Sequence, residues 1–550
     1  MTMPARLTRA ASAVCVMVAA LVSSACAPDP GVESISAVPA TSAPGNVPST
    51  PRPTTPETTP ETTPETTPAT GATTPTTVPE PTLPPIVEPE LNVEIPLEDV
   101  VDLDAAKPVR DYDAFLAVAL TDIDGWWSRV YPEVYGETYV PLEGGVYAGY
   151  PQRTTDLPGC GEPTTEYEEM ALFVAFYCEV GDFMIYDDDN RDVLAPLAAE
   201  FGPAVMGIVL AHEYGHAIQA RIGALDERLA TIVTEQQADC FAGAWTGQAY
   251  RGESELLRLG DADVRAGLIA MLSVRDPVGT SQFLPGGHGS AFDRVGAFQV
   301  GFLDGPAQCA ELLDEPLTLV PNQFRRQDDA LLAGNAPYDC DELRDLGFSE
   351  EAVAACTPAP EFLADDLNDF WATASGDTFP ELRTLPTDDL DALGCPAPTR
   401  LADEVVVCAA TGTVAYDEPT VLELYREFGD FTLGYFYGIA WAEAAQVHLG
   451  STLTGEDRAL LNDCFTGAWV RDITPDGNGR TPRGEDTDGD GVQDSGISSS
   501  PGDLDEAIRM AILEGDDGAN IDELGTAFEK IAAIRIGALG GLSACETQLG

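Results

Sequence analysis

Gly207-Ile-Val-Leu-Ala-His-Glu-Tyr-Gly-His-Ala-Ile-Gln-Ala-Arg221 is the stretch on which the fold turns. It reads as one buried helix with a His-Glu-x-x-His centre, His212 to His216. Residues four apart share a helix face, so both imidazoles can reach one metal ion. Glu213, next to the first histidine, can accept a proton from a metal-activated water. The apolar run Val205, Met206, Ile208, Val209 and Leu210 predicts a core position, which would hold the set rigid. The plain alternative is a buried helix with two satisfied histidines, because the five-residue pattern also arises by chance in long chains.

Two features weigh against the plain alternative. The chain has only four histidines, and this pair uses two of them. Farther along stands Glu235-Gln-Gln-Ala-Asp239. A catalytic zinc takes three protein donors and keeps one position open. Glu235 can be the third donor. Asp239 shares its helical face and can fix the tautomer of His212 or His216 through the other ring nitrogen.

With 550 residues there is room for two or three domains. Acidic side chains number 92 against 28 basic ones, a formal net charge of −64. That excludes nucleic acid and anionic membrane surfaces as expected partners. At the start stand Arg6 and Arg9, an apolar run from Ala11 to Val22, then Ser23-Ser-Ala-Cys26. This reads as a secretory signal, too short to span a bilayer comfortably. The small residues before Cys26 resemble a lipobox, although Ser23 replaces the usual leucine; ordinary signal cleavage is the alternative to lipidation. Residues 27–103 are rich in Pro and Thr and read as a disordered tether.

The second part of the chain repeats the order of the first. Asp366-Leu-Asn-Asp-Phe-Trp371 matches Asp122–Trp127, Tyr416-Asp417 matches Tyr186-Asp187, and Asp463–Trp469 nearly copies Asp239–Trp245. Gly502-Asp-Leu-Asp505 matches Gly260–Asp263, and Lys530–Cys545 matches Arg294–Cys309 without a gap. We read a tandem duplication: 104–320 a zinc-binding copy, 321–357 a connecting segment, and 358–550 a degenerate copy. Opposite His212, Glu213, His216, Glu235 and His288 stand Ile439, Ala440, Glu443, Ala459 and Leu524. The second copy therefore lacks the metal donors.

Cys15 leaves with the signal, and ten cysteines remain besides Cys26. An even set in an exported chain suggests disulfides. Matching positions pair most simply as Cys160–Cys178 with Cys395–Cys408, and Cys240–Cys309 with Cys464–Cys545. Cys340 and Cys356 are left for each other. An acidic loop inserted in the second copy offers Asp486, Asp488, Asp490, the Val492 carbonyl and Asp494 to Ca²⁺. The twelfth position is Ile497 instead of Glu, so a solvated acidic loop is the alternative.

At His-Glu-Tyr-Gly-His and Glu-Gln-Gln-Ala-Asp-Cys-Phe-Ala-Gly-Ala-Trp the chain resembles the bacterial putative neutral zinc metallopeptidase family. The likeness extends to Cys178, Tyr186, Asp187, Gly260–Asp263 and His288-Gly-Ser290. It covers about 107–312, and the second copy in degenerate form. It implies a mostly helical α+β, zincin-like fold, secreted or membrane-associated, with Zn²⁺ held by His212, His216 and Glu235. The expected activity is an exported, lipid-anchored endopeptidase acting on peptides or proteins, with Glu213 as general base. His288 is a candidate donor to the developing oxyanion, or else a capping or core residue. The strand read at Phe183–Tyr186 is expected to pair with an extended substrate. The competing readings are a cell-surface scaffold with silent peptidase-like domains, and a zinc hydrolase acting on other bonds.

Overall fold

The computed structural model describes residues 89–549, apart from 190–192, 226–228, 325–329, 376–377, 397, 475–496 and 516–520. Cys26, the tether and the acidic loop lie outside the described residues. The architecture is α+β, with helices dominating. No helix among the described residues is long and apolar enough to cross a membrane.

The front half begins with helix α1 (Asp113–Tyr135) and a three-stranded sheet: β1 (Gly145–Gly149), β2 (Ala175–Cys178) and β3 (Phe183–Asp187). Helices α2 (Leu194–Phe201), α3 (Ala204–Ile222), α4 (Thr231–Tyr250), α5 (Asp261–Ser273) and α6 (Ala291–Asp304) follow. The sheet order is β1–β3–β2, with β1 parallel and β2 antiparallel to β3. β3 is therefore central and has both edges paired, so it cannot take a substrate strand as the sequence led us to expect. All five of its residues are buried. Met184 and Tyr186 face the main core, while Phe183 and Ile185 face a smaller cluster with Leu157, Met170 and Cys178. This is the alternation a pleated strand imposes. The outer edge strand is β2, which packs against α3.

The rear half follows the same succession: α7 (Ala359–Ala374); β4 (Arg383–Thr387), β5 (Thr399–Ala402), β6 (Val405–Cys408) and β7 (Thr413–Asp417); then α8 (Glu418–Phe428), α9 (Phe431–Leu449), α10 (Gly455–Ile473), α11 (Asp503–Glu514) and α12 (Ala527–Gly540). Its sheet runs β4–β7–β6–β5, again with one parallel and one antiparallel neighbour beside the strand that ends in Tyr-Asp. α3 and α9 each have 19 residues and stop at a left-handed glycine, Gly223 (φ 68°) and Gly450 (φ 74°). In both, the residue after the glycine closes the helix end, Ala224 N to Gln219 O and Ser451 N to Gln446 O. Glycine takes this conformation without the penalty a Cβ would bring.

Two features set the packing. A Cβ on Gly301 would collide with the Cys240 carbonyl, and one on Gly537 with the Cys464 carbonyl. α4 with α6, and α10 with α12, thus approach at backbone distance. Asp122 on α1 is buried and accepts from Trp245 Nε1 and Gln248 Nε2 at 2.9 Å, while Asp366 on α7 accepts from Trp469 Nε1 at 2.7 Å. Cys160–Cys178, Cys240–Cys309, Cys340–Cys356, Cys395–Cys408 and Cys464–Cys545 lie at disulfide distance. One apolar core runs through both halves.

Candidate metal centre

α3 is apolar around nearly its whole circumference and is buried from Ala204 to Gly215. Such a helix belongs in the middle of a core. Leu210, fully buried there, would cost about 2–5 kcal/mol if cut to alanine. α4 crosses it where Gly215 faces Ala238, and a Cβ on Gly215 would stand 2.8 Å from the Ala238 Cα. That close crossing brings Glu235 up to the two histidines.

His212 Nε2 and His216 Nε2 lie 3.1 Å apart. Glu235 Oε2 is 3.3 Å from the first, and Glu235 Oε1 is 3.5 Å from the second. One ligand atom from each residue falls within 4.8 Å of the others. Glu235 Oε2 is buried and accepts no hydrogen bond among the described residues. A buried carboxylate oxygen left so is costly unless a cation completes it.

The outer ring nitrogens explain which atoms point inward. His212 Nδ1 is 2.7 Å from Asp239 Oδ1. The carboxylate can only accept, so it calls for a proton on Nδ1 and leaves Nε2 as a lone pair. His216 Nδ1 is 2.9 Å from Gln219 Oε1. The amide cannot flip freely, because Gln219 Nε2 donates to Thr234 O at 2.6 Å. His216 Nε2 is thereby also a lone pair. Two nitrogen lone pairs and a carboxylate converge, a donor set that fits Zn²⁺ with a position left over.

The electrostatics agree. Burial opposes charge on His212, but the Asp239 and Glu235 carboxylates outweigh it and push the imidazole up to about 10. Burial likewise works against a charged Glu235, and His216, His288 and His212 overcome it, holding the carboxyl well below its usual range. The pocket demands positive charge. Glu213, next to His212 in the chain, is buried and makes no side-chain hydrogen bond or ion pair among the described residues.

Asp239 serves His212 rather than His216, which decides the alternative the sequence left open. Arg294 on α6 holds Asp239 in turn, with Nε at 2.9 Å and NH2 at 2.7 Å, and donates NH1 to the Val274 carbonyl. His288 sits on the loop between α5 and α6, with Nδ1 3.5 Å from Asp276 Oδ1. Asp276 Oδ2 accepts from the backbone amides of His288 and Gly289, at 2.9 and 2.8 Å. Gln219, Arg294 and Asp276 were missed in the sequence. Signals existed for two of them: Gln219 follows His216 at helical spacing, and Arg294 opens the gapless match to Lys530.

Among the described residues, the rear half holds no such set of two histidines and a glutamate. Asp463 accepts from Tyr435 OH at 2.9 Å and Lys530 Nζ at 2.7 Å. Glu443, at the place of His216, is held by Arg458 Nε and NH2, both at 2.8 Å, and by Asn462 Nδ2. A second group of carboxylates, Asp430, Asp503 and Glu506, accepts from the backbone amides of Ala336, Ser500 and Phe431.

The uncharacterized protein Rv2575 of Mycobacterium tuberculosis is 32% identical over 168 residues, 27% of this chain and 55% of that protein. The uncharacterized protein YpfJ of Escherichia coli is 28% identical over 216 residues, 36% of this chain and 69% of that protein. The chain thus spans about half the length of the mycobacterial relative, 55%. No solved structure gives a significant match. Residues 105–312, the segment that carries both histidines, Glu213, Glu235 and His288, match the family described as putative neutral zinc metallopeptidase.

Proposed function

We propose that the front half is a zinc-dependent peptidase, and that the rear half is its inactive copy. The observation that carries the reading is the convergence of His212 Nε2, His216 Nε2 and the Glu235 carboxylate. A bound zinc would polarise a water and a carbonyl oxygen. Glu213 takes the water's proton as the peptide carbonyl is attacked, then delivers it to the leaving nitrogen. Asp239 and Gln219 keep both imidazoles turned inward throughout. His288, whose Nδ1 lies 3.5 Å from Asp276 Oδ1, is the candidate donor to the oxygen that gains charge.

An extended substrate would pair with the outer edge of β2, which no other strand of the described residues covers. Its approach along α3 brings the scissile bond past Glu213. The basic-apolar-small leader and the five cysteine pairs suit an exported chain, anchored through a lipid on Cys26.

The test uses the full mature chain with a casein or quenched-peptide library and metal analysis. Wild type should hold zinc and cut. Glu213→Gln should keep its zinc and lose hydrolysis by about 10²–10⁴-fold. Undiminished hydrolysis by that variant would refute the assignment.

A further inference from the structure

The loop bearing His288 is fastened from outside by the rear half. Its neck is closed internally by Asp276 N donating to Gly289 O at 2.9 Å and by the Asp276 carboxylate on the opposite stem. Outside the neck sits Asp505, from the start of α11. Asp505 Oδ2 accepts from Arg275 Nε at 2.8 Å, one residue before the loop. Asp505 Oδ1 accepts from Phe292 N at 3.0 Å, just after the loop. One buried carboxylate thus ties both stems, and Asp505 is only 3% exposed.

A second rear residue grips the same stem. Arg535 NH1 donates to the Phe292 carbonyl at 2.6 Å, and its guanidinium lies 4.4 Å over the Phe292 ring. Gly296 makes room, since a Cβ there would land on that guanidinium. The contact is reciprocated: Gln299 Nε2 on α6 donates to Phe528 O on α12 at 2.9 Å. Phe292 and Phe528 stand at matching places in the two halves, as do Gln299 and Arg535. Such mutual contacts are the mark of a two-fold interface between like units, here within one chain.

We propose that Asp505 is a positioning residue for the front half's active site. The rear half, which among its described residues has no counterpart of the His212–His216–Glu235 set, supplies instead the carboxylate that sets where the His288 loop stands relative to Glu235. The mechanical chain runs from Asp505 through Arg275 and Phe292 to the loop neck, and from the neck to His288. This rests on the peptidase reading for its consequence in catalysis but not for its geometry. The variants chosen separate the two.

The full chain carries four histidines, so selective labelling resolves the imidazole of His288 beside that of His448, which lies far along the rear half against Phe379. In Asp505→Asn, which keeps the shape and loses the charge, the His288 ring resonances should move while those of His448 stay. Zinc content should stay at wild type, and kcat should fall about tenfold with KM little changed. Arg275→Gln should do the same, and the double variant should add little to either single change, as expected of one coupled pair. Gln299→Ala removes an interface hydrogen bond away from the loop and should leave both readouts at wild type. The proposal fails if Asp505→Asn and Arg275→Gln leave the His288 resonances in place, or if Gln299→Ala moves them equally. A wild-type chain that cuts nothing would remove the peptidase reading, and the His288 resonances would still decide the role of Asp505.

Discussion

Asp239 stands between His212 and Arg294, accepting the first through Oδ1 at 2.7 Å and gripping the second with both oxygens. All three side chains are buried. The carboxylate therefore has two jobs, to fix a ligand's tautomer and to neutralise a guanidinium out of reach of water. Asp239→Asn should weaken zinc binding by about 10–100-fold, read by chelator competition. It should also lower the unfolding free energy by roughly 3–5 kcal/mol, because Arg294 is left charged and unpaired in the core. A variant that lost neither would show that the contact is idle.

Much of this was legible. The His212–His216 spacing is a helical fact, and Glu235 and Asp239 stand one turn apart on the next long helix. The cysteine pairs followed from matching positions in the two halves. The strand order was not legible. The strand at Phe183–Tyr186 was legible from its run of Phe, Met, Ile and Tyr, but its central place was not, because β1, its parallel neighbour, is Gly-Val-Tyr-Ala-Gly and carries almost no strand signal. Parallel pairing is non-local and leaves no turn in the sequence to mark it. Asp505 was visible only as part of a repeated motif; that it reaches across to Arg275 and Phe292 depends on how the halves pack.

Metal removal should be visible in stability. The convergent donors bind a cation in the folded chain and are scattered in the unfolded one. Zinc at about a hundred times its Kd should stabilise by about 2.7 kcal/mol. Heat or denaturant unfolding with and without chelator reads this directly. His216→Ala should erase the increment, since it removes one donor from a set of three. An unchanged melting curve in wild type on chelation would mean that the donors hold nothing.

A pH effect is expected from the rear half. Burial, together with the charges of Asp403 and Asp417, pushes Glu404 up to about 7. Burial and the neighbouring Glu404 push Glu514 up to about 8. Both folded values lie above the ordinary 4.5, so the folded state holds these protons more tightly than the unfolded one. Their contribution is complete below about pH 4.5 and is lost as pH rises through 7 and 8. The melting temperature should fall between pH 5.5 and 8.5, on the scale those two values set, and Glu514→Gln should flatten the curve. A flat wild-type curve over that window would contradict the cause given.

Glu443 and Arg458 make the last case. Where the front half gathers His216 and Glu235 and needs an added cation, the rear half brings its own guanidinium to a buried carboxylate. The pair is satisfied internally, with Asn462 completing Glu443 and Gln446 Nε2 held by Arg458 O and Asn462 Oδ1. Among the described residues no imidazole faces that pocket, because Ile439 and Glu443 stand where the front half has its two histidines, and Ala459 stands where it has Glu235. Zinc favours imidazole over an all-oxygen set such as Asp430, Asp503 and Glu506. Metal analysis of the full chain should therefore give about one zinc per molecule, as a single three-donor site requires. His216→Ala should abolish it, and Glu443→Gln should leave it untouched. Arg458→Met, by contrast, should cost roughly 3–5 kcal/mol of stability by stranding Glu443, with no change in zinc content. Two zincs in wild type, or a loss of zinc in Glu443→Gln, would mean that the rear pocket had kept a metal role.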